Sequence, residues 1–268
     1  MVTTQNLLCL GEDNLAKPLV KEEDFYNEWC SRLDLEWSPE ETAFAGGLIS
    51  NKLAFFFISA YQAAIRRTFG KNNRHWTALA ISEDRGAQNP RPGLTESNGN
   101  VNGVKTWVAS SKYSEEIIVS IDETRLYSAN RRTNGLKIFH KENQGFLKEM
   151  SQGVAEFKDV AISDLEAIKS VDLKLFAKRE PLYLYFAFCG FLTRVGVPDN
   201  EPLLDNLIII SSGNFTDPSH KTLFALTDIR INEIFNKLDP KIFSGNYHQD
   251  KGLMSLYSKI IQKRAGMS

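Results

Sequence analysis

Apolar residues recur at helical spacing over 21–33, where Phe25, Tyr26, Trp29 and Leu33 share one face, and this predicts an amphipathic helix. Ser38-Pro39-Glu40-Glu41 predicts the start of a second helix, with Ser as N-cap, Pro in the first turn and acids at the positive end of the dipole. Residues 51–69 form a strongly apolar helical stretch that stops at Gly70, a natural C-cap. From about Arg74 the period shortens. Trp76 to Ile81 is a short apolar run, 116–121 is rich in β-branched residues, and 136–140 and 154–160 alternate apolar with polar positions. Asn102-Gly103 predicts a tight hairpin turn. Several short strands with Gly and Asn punctuation predict a compact β-domain. Beyond about Leu173 the helical period returns. Residues 179–194 are apolar nearly all round, as suits a helix at the centre of a bundle. Three further helical segments, 203–210, 221–238 and 253–264, are separated by Gly213-Asn214, Asp217-Pro218, Asp239-Pro240 and Gly245-Asn246.

Helices, then strands, then helices predict an α+β chain. The boundaries are a helical N-terminal domain over 1–73, a β-domain over 74–170 and a C-terminal helical domain of four helices over 171–268. The 268 residues suffice for a sizeable core, and the hydrophobic fraction of 42% is ordinary for a globular protein. A net charge of −1 gives no field that would favour nucleic acid or an anionic membrane. Cys9, Cys30 and Cys189 are scattered, which describes neither a disulfide framework nor a zinc site. No apolar stretch reaches the roughly 20 residues of a membrane span, and no secretory signal is visible, so a cytoplasmic location is expected. His75, His140, His220 and His248 have no metal-ligand spacing, and no phosphate loop or dinucleotide fingerprint is present, so no metal is expected.

The β-block carries a resemblance. Ala78-Leu79-Ala80-Ile81-Ser82-Glu83 is similar to the acyl-CoA dehydrogenase strand that ends in Thr-Glu or Ser-Glu. Asn102-Gly103-Val104-Lys105-Thr106-Trp107-Val108-Ala109-Ser110 resembles that family's Asn-Gly-x-Lys-x-Trp-Ile-Thr/Ser segment, and 153–160 resembles its later Phe-x-Asp-Val strand. The likeness is specific over about 78–160 and topological on either side. It implies an acyl-CoA dehydrogenase-like fold, truncated in its helical parts, with FAD as cofactor and an acyl-CoA or similar thioester as partner. It also implies assembly as a homo- or hetero-oligomer, for which the apolar stretch from Tyr183 to Leu192 offers a surface. By position, Ile81, Ser82, Trp107, Val108, Ala109 and Ser110 would contact the flavin, a flat apolar ring that wants aromatic contact and a few aimed donors. Read without the resemblance, Trp107 is a core residue of a small sandwich.

The chain departs from the family pattern in four places. Ala109 stands where the family has a hydroxyl for flavin N5. The glycine-rich turn after Ser-Glu is replaced by Asp84-Arg85-Gly86-Ala87-Gln88-Asn89-Pro90, which leaves Arg85 and Gln88 as substrate contacts, or a solvated loop. The late catalytic Glu is absent. Some members carry the base as Glu-Arg at the first C-terminal helix; here Arg179-Glu180 is the reverse pair, and a one-residue slip turns a side chain by about 100°. Glu180 is the candidate base, or else a first-turn acid favoured by the helix dipole. The arginine and Gln-x-x-Gly-Gly segment that reach FAD across the family's subunit interface have no clear counterpart. Two functions stay open: an FAD-dependent oxidoreductase, or a non-catalytic homologue that binds an acyl-CoA-like ligand or serves as a partner subunit.

Overall fold

A computed structural model describes residues 2–12, 19–83, 88, 90–121, 125–142, 145–169, 173–198 and 200–267. The chain divides into two compact units. A helical unit comprises 1–67, 145–149 and 173–268, and a β-unit comprises 68–144 and 150–172. The two helical parts of the sequence thus belong to one body, and the chain returns to it for five residues in the middle of the β-region.

The helical unit holds α1 (Thr4–Glu12), α2 (Glu22–Arg32), α3 (Pro39–Leu48) and most of α4 (Leu53–Phe69). After the β-region come α5 (Leu173–Arg194), α6 (Glu201–Ser212), α7 (Pro218–Lys237), the single turn α8 (Tyr247–Asp250) and α9 (Gly252–Ala265). The start of α3 is a full capping box: Ser38 accepts from the Glu41 amide at 3.1 Å, and the Glu41 carboxylate accepts from the Ser38 amide at 2.7 Å. Gly70 stops α4 in the left-handed conformation (φ +66°). α3 and α5 cross through two glycines. A methyl at Gly47 would overlap the Ala187 carbonyl, and one at Gly190 would overlap the Phe44 carbonyl. Gly190→Ala should therefore cost about 2–3 kcal/mol through overpacking, read as a lowered midpoint in chemical unfolding.

Every residue from Leu182 to Leu192 is buried in this unit. The apolar stretch expected to serve an oligomer interface is thus spent on the unit's own core. Phe191 and Phe243 stack at 4.9 Å, and Phe243 stacks in turn on Tyr247 at 4.7 Å. α5 also begins at Leu173, not near Arg179. Pro181 lies inside it. Proline removes the amide that would bond to residue 177. Here the Ala177 carbonyl accepts from Arg264 Nη1 at 3.3 Å instead, so a side chain from α9 replaces the lost backbone donor.

The β-unit is two four-stranded sheets. One has the order β1 (Trp76–Ala80), β4 (Ser114–Ile121), β5 (Arg125–Asn130), β8 (Glu166–Ile168). The other has β2 (Thr95–Ser97), β3 (Asn100–Ala109), β7 (Gln152–Ala161), β6 (Leu136–Lys141). β1 runs parallel to β4, and the other pairs are antiparallel. Ala78, Ile117 and Val119 of the first sheet share one core with Val108, Ala155 and Phe157 of the second. Asn102-Gly103 is not a turn, since it lies inside β3. The hairpin between β2 and β3 turns at Asn98-Gly99, where both residues have positive φ (52° and 78°). Two Asn-Gly pairs lie four residues apart, and strand pairing chose the first for the turn.

Candidate functional site

β3 pairs with β7 with two shifts of register, one between Val101 and Gly103 and one between Lys105 and Val108, and the second lies beside Trp107. Such an irregularity frees a backbone amide and re-aims a side chain. Thr106 uses its amide to reach out of its own sheet to the Ser82 carbonyl at 2.9 Å. Beside it, Lys105 is wholly buried, bonded to Glu83 Oε1 at 2.5 Å and to Ser120 Oγ at 3.1 Å. The end of β1 is therefore fastened to the middle of β3 by one backbone bond and one buried ion pair. Gly93 packs here too: a methyl on it would overlap the Glu83 carboxylate.

This fastening brings Ser82 beside the segment that carries Trp107. Ile81 is 39% exposed, Ser82 is exposed and Trp107 is half-buried. The indole Nε1 of Trp107 donates to Gln152 Oε1 at 3.2 Å. Val108, Ala109 and Ser110 are buried, with Ser110 in the left-handed conformation (φ +48°). Gln88 is exposed, and Arg85 lies outside the described residues. An isoalloxazine ring would thus find apolar and aromatic side chains at Ile81 and Trp107 and a hydroxyl at Ser82. These are the residue types that a flat ring of this kind needs, while the Ala109 methyl offers no donor.

Lys105→Met should leave Glu83 without its buried cation. The expected cost is about 3 kcal/mol. Unfolding curves check this, and the double variant with Glu83→Gln should recover part of the loss.

Glu180 sits two turns inside α5, in the helical unit, so it is not a first-turn acid and the helix dipole does not account for it. The residue as a whole is half-buried, with the carboxyl on the enclosed side. Burial pushes that carboxyl up to about 7, against the pull of a hydrogen bond donated by Tyr257 of α9. Arg179 points elsewhere, donating to the Arg67 carbonyl at 3.2 Å. The pair therefore divides between two faces of α5, as adjacent helical residues must.

A second polar knot lies in the same unit. Asp228 of α7 is fully buried and accepts from Tyr185 Oη, from Ser258 Oγ at 2.8 Å, from Gln262 Nε2 at 2.6 Å and from Asn232 Nδ2 at 3.0 Å. Its position in an amphipathic helix shows little sequence signal, because all its partners except Asn232, four residues on in α7, come from two other helices. Gln152, Tyr257 and the Glu83–Lys105 pair were hidden for the same reason.

No protein-family model matches the sequence, and no curated protein is detectably similar to it. Solved structures are similar in fold. Butyryl-CoA dehydrogenase from Megasphaera elsdenii superposes with a TM-score of 0.56 at 10% identity, over 98% of this chain and 97% of that one. The chain has the acyl-CoA dehydrogenase fold. A structure described as an FAD-dependent dehydrogenase gives a TM-score of 0.55 at 13% identity, covering 99% of this chain and 97% of that one. Glutaryl-CoA dehydrogenase from Mycobacterium smegmatis, in complex with FADH2, gives 0.55 at 9% identity, covering 98% and 93%. Within the acyl-CoA dehydrogenase fold, the order of helices, β-sheets and helices accords with the reading of the β-block residues. Among the described residues, no group of acids, histidines and cysteines could hold a metal ion, and no helix is long and apolar enough to cross a membrane.

Proposed function

We propose that this protein is an acyl-CoA dehydrogenase-type oxidoreductase that uses FAD and acts on the CH–CH group of an acyl thioester. The observation that carries this reading is the fastening of Ser82 to the Trp107 segment through Thr106 and the buried Lys105–Glu83 pair. It makes a rigid edge with an apolar side chain, an indole and a hydroxyl together. Ile81, Ser82 and Trp107 would flank the isoalloxazine, with Val108, Ala109 and Ser110 setting the backbone beneath it. FAD, when bound, supplies the hydride acceptor. Glu180 is the proposed base for the α-proton, since a carboxyl raised to about 7 is half ionised near neutral pH and returns a proton as readily as it takes one. Gln88 and Arg85 are the proposed contacts to the thioester.

A second reading has its own support. Ala109 is buried and lacks the hydroxyl that would serve flavin N5, which favours a non-catalytic homologue that keeps the fold and binds an acyl-CoA-like ligand or a partner subunit. One spectrum separates the two. A yellow protein whose flavin band bleaches anaerobically on adding an acyl-CoA supports the oxidoreductase. A colourless protein that takes up no added FAD overturns it and leaves the second reading.

A further inference from the structure

We propose that the cavity between the early part of α5, the loop joining α6 to α7 and the last turns of α9 binds a small organic anion with an apolar body. The cavity measures about 170 Å³. Its polar rim is cationic: Lys178, Lys221 and Arg264 line it, together with His220. Its apolar wall is Phe215, Phe224 and Ile261, of which Phe224 and Ile261 are buried. None of the lining residues is acidic. Three like charges around one hollow repel one another, and an anion between them relieves that repulsion while the apolar wall takes up its body.

Two details show how the rim is held. Arg264 donates to the Ala177 carbonyl at 3.3 Å, the carbonyl that Pro181 deprives of its helical partner, so the guanidinium is tethered at the edge of the cavity. His220 lies against Gly213, where a methyl group would overlap its ring. Its Nδ1 is buried with no hydrogen-bond partner among the described residues, and the nearest carboxylate oxygen, on Asp217, is 3.8 Å away.

Size decides the ligand class. An apolar cavity of about 150 Å³ holds one benzene ring. A single ring or short alkyl chain bearing a carboxylate or a phosphate therefore fits, and a dinucleotide does not fit inside it. Carboxylate and phosphate share the chemistry that three cations recognise; a planar carboxylate suits the fork of Arg264, and a phosphate suits the two lysine charges as well.

The test is calorimetric titration of the full chain with benzoate, phenyl phosphate and, as a neutral control, benzyl alcohol. Saturable binding of at least one anion is expected, with the alcohol at least about tenfold weaker. Preference between the two anions identifies the head group. The double variant Lys178→Ala/Lys221→Ala should weaken the anion by about tenfold or more, and each tenfold is about 1.4 kcal/mol. Gly213→Ala should also weaken it, by displacing the imidazole. NMR of the His220 ring should show a shift on titration that is absent for the alcohol. No saturable binding of either anion up to about 10 mM, equal binding of the alcohol, or unchanged affinity in the lysine variant would each overturn the proposal. None of these residues belongs to the proposed flavin edge, and Glu180 is not among them, so failure here leaves the flavin spectrum to judge the oxidoreductase reading separately.

Discussion

Glu180→Gln is expected to raise the stability of the protein above pH 7 while cutting the turnover proposed for the flavin assay by orders of magnitude. The sign follows from the raised carboxyl. In the folded protein burial holds Glu180 at about 7, against an ordinary 4.5. A carboxyl raised by folding contributes stability that is fully present below its unfolded value and is lost as pH rises through its folded value. Between about pH 4.5 and pH 7 the wild type should therefore lose up to about 3 kcal/mol through this group. Glutamine is neutral at every pH and still accepts from Tyr257, so the variant escapes that loss. Thermal melts at pH 5 and pH 8 check it. The gap between variant and wild type should be small at pH 5 and should favour the variant by several degrees at pH 8. Asp250, also raised to about 6 by burial, contributes a slope of the same sign over pH 4–6 in both proteins, so only the part above pH 6 reports cleanly on Glu180. Turnover should fall by roughly 10²–10⁴, the contribution of a positioned base. Unchanged turnover alongside raised stability would make Glu180 a buried acid with no part in the chemistry.

Asp228→Ala should destabilise the helical unit by about 3–5 kcal/mol, the largest stability loss expected from a single substitution here. The cause is the orphaned donors more than the lost volume of the carboxyl. Tyr185 Oη, Ser258 Oγ, Gln262 Nε2 and Asn232 Nδ2 all point at one carboxyl, and removing it leaves them facing a cavity. The knot joins α5, α7 and α9, so its loss loosens three helices together. Urea unfolding checks it, with Asp228→Asn as the milder control. Asparagine keeps one acceptor oxygen but turns an amide towards donors, and it should lie between alanine and wild type. A loss below about 1 kcal/mol for alanine would mean that water replaces the carboxyl and the knot is not what holds these helices. The phenol of Tyr185 offers a second readout. Burial and Asp228 together hold it well above its usual range, and the alanine variant removes the second of these causes.

Much of this architecture was written in local patterns. The capping box at Ser38, the stop at Gly70 and the apolar run of α4 need only neighbouring residues, and each formed as the sequence predicts. The strands over 76–80, 116–121 and 154–160 likewise follow from alternation and β-branching. The misplaced turn and the misplaced start of α5 failed for one reason. Asn98-Gly99 and Asn102-Gly103 are equivalent as dipeptides, and only the pairing of β2 with β3 and β3 with β7 says which one turns. The apolar run marks α5 only from about Arg179, and the helix continues back to Leu173 through Pro181, whose abandoned carbonyl partner accepts from Arg264 of α9.

By itself the chain determined the longer helices, several of the strands, their α+β order, and the strand residues that resemble a flavin-binding edge, because those depend on period, capping and local motif; the shorter α1, β2, β5, β8 and α8 left no such pattern. The tertiary structure alone decided that the two helical regions form one unit, that Glu180 meets Tyr257, that Asp228 gathers donors from three helices, and that Lys105 is buried against Glu83. Partnership between residues 22 to 77 positions apart costs chain entropy that only the packed core repays, and no local pattern records which distant group will complete it.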